Sequence, residues 1–231
     1  MSEPIRSLAA VLGEPAVVDA LRLTAEVALA TLVLHLLLGV ALGYALARLG
    51  WFGRGLLDVL VTLPLVFPPV ATGFLLLMLL GRRGPLGAWL GETWGVEVVF
   101  SFGGVLIASL VAGLPLVVKP VQSALESLSA RLGEAARVLG KGEPEIFLRV
   151  LLPNIRGPLA AGLVLGLGRS LGEVGITLML GGNVSGRTTT VSLEIFNAVG
   201  GGEFERAAVL SLLLGLVSLA LFAVLRRLGA L

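Results

Sequence analysis

The sequence predicts an all-α integral membrane protein of about five transmembrane helices, six if one short segment also enters the bilayer. Three observations predict it. The chain is 56% hydrophobic with a mean hydropathy of +1.01. Several of its apolar runs exceed the roughly 18 residues that suffice to cross a bilayer. Glycine supplies 32 of the 231 residues, about twice its usual share, which suits helices that must approach closely in lipid. With no cysteine, disulfide and thiolate chemistry are excluded while the compartment stays open. A net charge of +2 gives no argument for nucleic acid as a partner.

In chain order, MSEPIRSLAAVLGEP (1–15) mixes Glu3, Arg6 and Glu14 without the basic-then-apolar order of a signal peptide, so the first apolar run is expected to stay as a span. Apolar runs against their polar flanks place the spans at about 22–47, 56–80, 97–118, 156–180 and 207–228. The first holds His35, the only histidine; alone it cannot assemble a metal site, and a packed or hydrogen-bonded role is expected. Gly39 and Gly43, like Gly162 and Gly166 in the fourth span, have the small-residue spacing of close helix contacts.

Asp58 reads as an interfacial acid near the start of the second span, which contains TLPLVFPPV. Pro64, Pro68 and Pro69 each remove a backbone donor, tolerable at depth only beside neighbours or a water-lined cavity. The result is a kinked helix that either borders a pathway or packs better for its kink. In the fourth span, GRSLGEVGIT sets Arg169 and Glu173 four residues apart on one predicted helix face. They either brace the bundle as a neutral pair or give an anion's route a positive charge, with the Ser170 and Thr177 hydroxyls nearby. Residues 181–206 carry glycine clusters around an apolar middle; a short re-entrant or interfacial helix over 190–199 is expected, a sixth partial span being the alternative.

An odd number of spans puts the termini on opposite sides. One set of connections holds Arg48, Arg54, Lys119, Arg131, Arg137, Lys141, Arg149, Arg156, Arg226 and Arg227; the other holds Arg6, Arg22, Arg82, Arg83, Arg187 and Arg206. Ten against six makes 119–155 and the C-terminus cytoplasmic and the N-terminus external, with Arg82 and Arg83 against the trend.

That leaves a charged, helix-forming stretch, GEAARVLGKGEPEIFLRVLLPN (133–154), in the longest interior loop. Glu134 to Leu139 favour a short helix, Gly140 and Gly142 can end it by adopting φ > 0, and Pro153 starts or kinks the next. Such a helix docks on a soluble partner or lies on the headgroups. EAARVLG followed by VLLPNIRGPLAAG resembles the coupling loop of permease subunits of bacterial and archaeal ABC importers. LPLVFPPVATGFLLLMLLGRRGPLG (63–87) and GRSLGEVGITLMLGGNVSGRTTTVSLEIFNAV (168–199) are similar to the molybdate permease family, and the likeness runs from about 20 to 228. Val174 departs from it where an aromatic residue is more usual.

The resemblance implies a type I ABC importer permease fold, a single transmembrane domain over 1–231 with a coupling loop at about 131–154, in the inner membrane. It implies that Glu134, Ala135, Ala136 and Gly140 contact the ATPase, and it favours Pro68, Pro69, Thr72, Arg169, Ser170, Glu173 and Thr177 along the pathway. The partners implied are a second copy of this chain, two ATPase subunits that use ATP and Mg, and a periplasmic or extracellular molybdate- or tungstate-binding protein. Tungstate and sulfate permeases share much of the pattern. A stand-alone channel, a secondary transporter or a membrane anchor for a soluble enzyme are the competing classes. No catalytic residue, cofactor or metal is expected in this chain: G-x-x-x-x-G-K-[ST] and G-x-S-x-G are absent, one histidine cannot make H-E-x-x-H, and Asp58 and Glu173 are expected at different heights.

Overall fold

The computed structural model describes residues 11–48, 50–128, 132, 136, 138 and 140–227, the last three of these by backbone only. Helix α5 (Phe102–Ser127) is the central element: 56% of its most apolar stretch is buried, against 22% for α1 (Pro15–Arg48) and 11% for α10 (Phe204–Arg227). The four predicted small residues explain how its neighbours reach it. Helix α1 runs parallel to α5, and a Cβ on Gly39 or Gly43 would lie 2.5 Å from a methyl of Val117 or Val121. Helix α7 (Arg156–Leu171) runs antiparallel on another face of α5, with Gly162 against Val117 and Gly166 against Gly113. Small side chains let backbones meet where lipid supplies no hydrophobic drive.

At 34 residues α1 is about 51 Å long, well beyond the ~30 Å hydrocarbon core, and it begins at Pro15 rather than at 22. Two predicted spans are not continuous. The span expected at 56–80 is α2 (Arg54–Val66) and α3 (Pro69–Leu80), parted where Phe67 turns extended (φ −80°, ψ 141°) ahead of Pro68. A proline forces that conformation on its predecessor. The span expected at 156–180 is α7 and α8 (Gly175–Gly181), separated by Gly172, Glu173 and Val174. Among the described residues only α1, α5 and α10 are long and apolar enough to cross a bilayer alone.

The third span also shifts. Phe100 (φ 59°) ends the preceding segment, α5 starts at Phe102, and it continues nine residues past the expected end at 118, to Ser127. Polar ties hold this extension: Lys119 pairs with Asp58, Arg54 with Glu126 at 2.8 Å, and Arg48 donates to the Leu125 carbonyl at 2.8 Å. They gather the end of α1, the start of α2 and the end of α5 at one end of the bundle. Helix α4 (Pro85–Trp94) lies between α3 and α5 in sequence, and α9 (Val191–Gly200) forms where the short 190–199 helix is expected.

At the same end sits a short arm. Leu132, Ala136 and Val138 are helical, Gly140 adopts φ +74°, and the Lys141 N–H reaches back to the Ala136 carbonyl at 3.1 Å. This is the six-to-one bond of a glycine-terminated helix. Gly142, in contrast to the expectation, has φ −74° and begins α6 (Glu143–Asn154). Phe147–Leu151 is a π-helical turn just ahead of Pro153, and α6 meets α7 at a 73° bend. Ala136, Ile146, Leu151 and Ile155 share a core with Val121 and Leu125 of α5, and Tyr44 of α1 meets Phe147 edge to face at 5.2 Å.

Candidate functional site

The two interrupted helices meet at their breaks. A Cβ on Gly175 would lie 3.0 Å from Pro69 Cβ, and one on Gly73 would lie 2.9 Å from Ile176 Cα. Glycine is required on both sides for α3 and α8 to come this close. Each break leaves backbone groups without helical partners, and these need others. The Thr72 hydroxyl donates to the Pro68 carbonyl at 3.2 Å, and Glu173 Oε1 accepts from the Ile176 N–H at 2.8 Å. Pro68 and Pro69 thus stand at the start of α3, beside the link that carries Glu173.

The pairing of Arg169 with Glu173 holds at 2.6 Å, although Glu173 sits in the link after α7 and not on a helix face. Its side chain is 1% exposed and that of Arg169 is 35% exposed. The ion pair therefore has one dry and one accessible end. Ser170 points elsewhere: it donates to the Ser109 carbonyl of α5 at 2.5 Å. Thr177 is buried in α8. Among the expected pathway residues, Pro68, Pro69, Thr72, Arg169, Glu173 and Thr177 thus lie on or beside the paired breaks, while Ser170 faces the α5 side.

His35 is fully buried in the contact of α1, α5 and α7, its Nε2 3.1 Å from the Leu110 carbonyl. Room for the ring comes from Gly113, where a Cβ would lie 2.5 Å from His35 Cε1. At the end of the bundle away from the arm, a cavity of about 660 Å³ opens beside the C-terminus of α3, lined by Leu80, Arg82, Glu92, Glu97, Phe100 and Arg187. Arg82 pairs with Glu97 at 2.7 Å, which raises the arginine pKa further. Near it Arg206 gathers Glu14, Glu194 and Glu203 at 2.8–3.1 Å, tying the chain before α1 to α9 and α10. Neither cluster shows as a unit in the sequence, since Arg82–Glu97 and the Arg206 pairs with Glu14 and Glu194 join residues too far apart for a local spacing; only Arg206–Glu203 is local.

Of the expected coupling residues, Glu134 and Ala135 lie outside the described residues. Ala136 is buried against the arm's core and Gly140 ends its helix, while Val138 is 87% exposed and Leu132 is 42% exposed. Beyond the glycine, a hydrogen bond from Lys141 and the charge of Arg149 hold the Glu145 carboxyl below the usual glutamate range. The arm thus exposes Leu132 and Val138 above a base packed through Ala136, Ile146 and Leu151.

The family described as binding-protein-dependent transport system inner membrane component matches residues 36–231. This chain belongs to that family. The permease is 35% identical to the molybdenum transport system permease protein ModB of Haemophilus influenzae, over 88% of this chain and 91% of that one. It is 38% identical to the ModB protein of Azotobacter vinelandii, over 81% and 83% of the two chains. It is also 34% identical to the sulfate transport system permease protein CysW of Synechocystis, over 90% and 76%. A bacterial ABC transporter involved in the import of the acidic polysaccharide alginate contains a chain of the same fold, with a TM-score of 0.77 at 18% identity over 96% of this chain and 82% of that one. A second structure of the alginate transporter, in complex with a periplasmic protein bound to an alginate pentasaccharide, aligns with a TM-score of 0.76 at 18% identity over 96% and 81% of the two chains. The permease is thus a multi-pass inner membrane component of an ABC importer.

Proposed function

We propose that this permease is one of two identical membrane halves of an ATP-driven importer that carries molybdate inward. The observation that carries the pathway is the meeting of two interrupted spans at their breaks, with Arg169 offering an accessible positive charge beside a buried carboxylate. Broken helices at membrane depth are tolerated where they line a cavity, and a transit path needs weak, releasable attraction more than a tight site. The molybdenum relatives favour molybdate over other tetrahedral dianions; the sulfate relatives make sulfate the second reading.

The arm is the coupling element, oriented to the cytoplasm with the C-terminus, and the N-terminus is external. Leu132 and Val138 present apolar surface to a groove on a separate ATPase subunit, with Glu134, Ala135, Ala136 and Gly140 in the same contact. ATP and Mg are bound by that partner and not by this chain. When two ATPase subunits close on ATP, the arms follow as near-rigid levers and the bundle opens toward a loaded external binding protein; hydrolysis returns it inward-open. The cavity beside Arg82 and Arg187 lies on the side that receives the anion.

Uptake of labelled molybdate into vesicles holding the full transporter tests this, with sulfate and tungstate as competitors. Uptake that needs ATP, binding protein and this chain is expected, with tungstate competing better than sulfate. Uptake of sulfate in preference to molybdate would move the substrate to the second reading.

A further inference from the structure

Thr31 is fully buried in α1, and its hydroxyl has no hydrogen-bond partner among the described residues. Other helical hydroxyls here avoid that fate by donating one turn back: Thr62 to Asp58, Thr72 to Pro68 and Ser218 to Leu214. Thr31 instead lines a cavity of about 10 Å³ shared with Thr24, Ser109, Ser170 and Thr190. That volume is close to the lower limit for one water molecule.

The remaining hydrogen-bond capacity suits a water. Thr24 Oγ1 accepts from the Val191 N–H at 3.0 Å, so its hydroxyl hydrogen is available to give. Thr190 Oγ1 accepts from the Leu193 N–H at 3.4 Å and likewise keeps its hydrogen. Ser170 has given its hydrogen to the Ser109 carbonyl and retains lone pairs to accept. Thr31 can give or take. A water has two hydrogens and two lone pairs, and buried waters typically make about three bonds to groups otherwise unsatisfied.

We infer that one water molecule is bound here, cross-linking Thr31 of α1 to Ser170 of α7 and to Thr190 at the head of α9. The site joins the end of α7, next to its break, to the long helix α1 without a direct side-chain bond between them. Its occupant stays polar even though four of its lining residues, Thr24, Ala28, Leu167 and Leu171, also border an apolar cavity of about 230 Å³ between α1, α7, α9 and α10. A cavity of that second kind stays dry.

Thr31→Val gives opposite signs for the two cases. With the water, the variant loses a bond to a buried polar site, and the thermal unfolding midpoint of the full chain in lipid nanodiscs falls by about 2–4 °C. Without it, replacing an unsatisfied buried hydroxyl by a methyl leaves the midpoint unchanged or raises it, which would overturn the inference. Thr31→Val combined with Ser170→Ala supplies the second reading: a shared water makes the double variant lose less than the sum of the two single losses, and strict additivity contradicts a bridge. Should either variant fail to fold, density in a high-resolution map of the unaltered permease decides. A peak within about 2.7–3.2 Å of Thr31 Oγ1 and two other hydroxyls supports the site, and a featureless cavity sinks it.

Discussion

At Glu173 a single carboxylate serves two helices, accepting the Ile176 N–H at the start of α8 and pairing with Arg169 at the end of α7. Removing Arg169 strands a nearly buried charge, so Arg169→Ala is expected to cost about 2–3 kcal/mol, under the figure for a fully buried pair because the arginine end is one-third exposed. Glu173→Gln keeps an acceptor for the amide and should cost less than Glu173→Ala, measured by thermal unfolding. Function separates the two roles. Arg169→Lys should retain anion uptake, and a neutral Arg169→Gln, Glu173→Gln pair should fold yet slow it; full uptake by that pair would leave only a bracing role. Gly113 gives a second residue-scale expectation. Its Cβ would lie 2.3 Å from the Gly166 carbonyl, so Gly113→Ala should destabilise by about 1–3 kcal/mol or more through overpacking. The Gly39–Gly43 and Gly162–Gly166 pairs were legible from their four-residue spacing. Gly113 was not, because its crowding comes from His35 and Gly166 on other helices.

Among the elements, the breaks set the limits of what the sequence conveyed. Pro68 and Pro69 announced an interruption in the second span, since a missing donor and a restricted predecessor act locally. The fourth span hid its break: Gly172–Glu173–Val174–Gly175 sits in an apolar run of the right length, and the contacts made there, Glu173 with the Ile176 N–H and Gly175 with Pro69 and Val70, are not visible as a local pattern. The arm was legible in outline, and Gly140 takes the left-handed backbone that its position after a short helix implied. Gly140→Ala should loosen that helix end by roughly 1–2 kcal/mol, the cost of a Cβ in the left-handed region. Gly140→Pro cannot adopt a positive φ at all. In the assembled transporter it should uncouple ATP hydrolysis from uptake while the bundle, held by separate contacts, keeps its unfolding midpoint within a few degrees. Normal uptake by Gly140→Pro would contradict the lever role.

Over the whole molecule, the Arg54–Glu126 and Lys119–Asp58 pairs at the arm end and the Arg82 and Arg206 clusters at the other mark the two ends of the bundle, and the proposed orientation assigns each to one side of the membrane. The absence of cysteine makes that polarity easy to probe with single cysteine substitutions. Arg187→Cys should react with an impermeant thiol reagent added to intact cells, and Val138→Cys only after the membrane is opened; the reverse pattern would invert the orientation. Leu60, Phe74 and Leu216 are among the large apolar side chains left more than half exposed on α2, α3 and α10, surface that lipid or a second copy must cover. The family and its helical plan were readable because hydropathy and the motif at 133–154 are local signals. The pairing of the two breaks was not, because it depends on contacts between residues about a hundred positions apart. The most direct measurement is ATP hydrolysis in proteoliposomes that contain this permease, its ATPase and its binding protein, with molybdate, tungstate, sulfate or no anion. The account predicts stimulation that requires the permease, is strongest with molybdate and disappears as coupled uptake in Gly140→Pro. Hydrolysis indifferent to both permease and anion would contradict it.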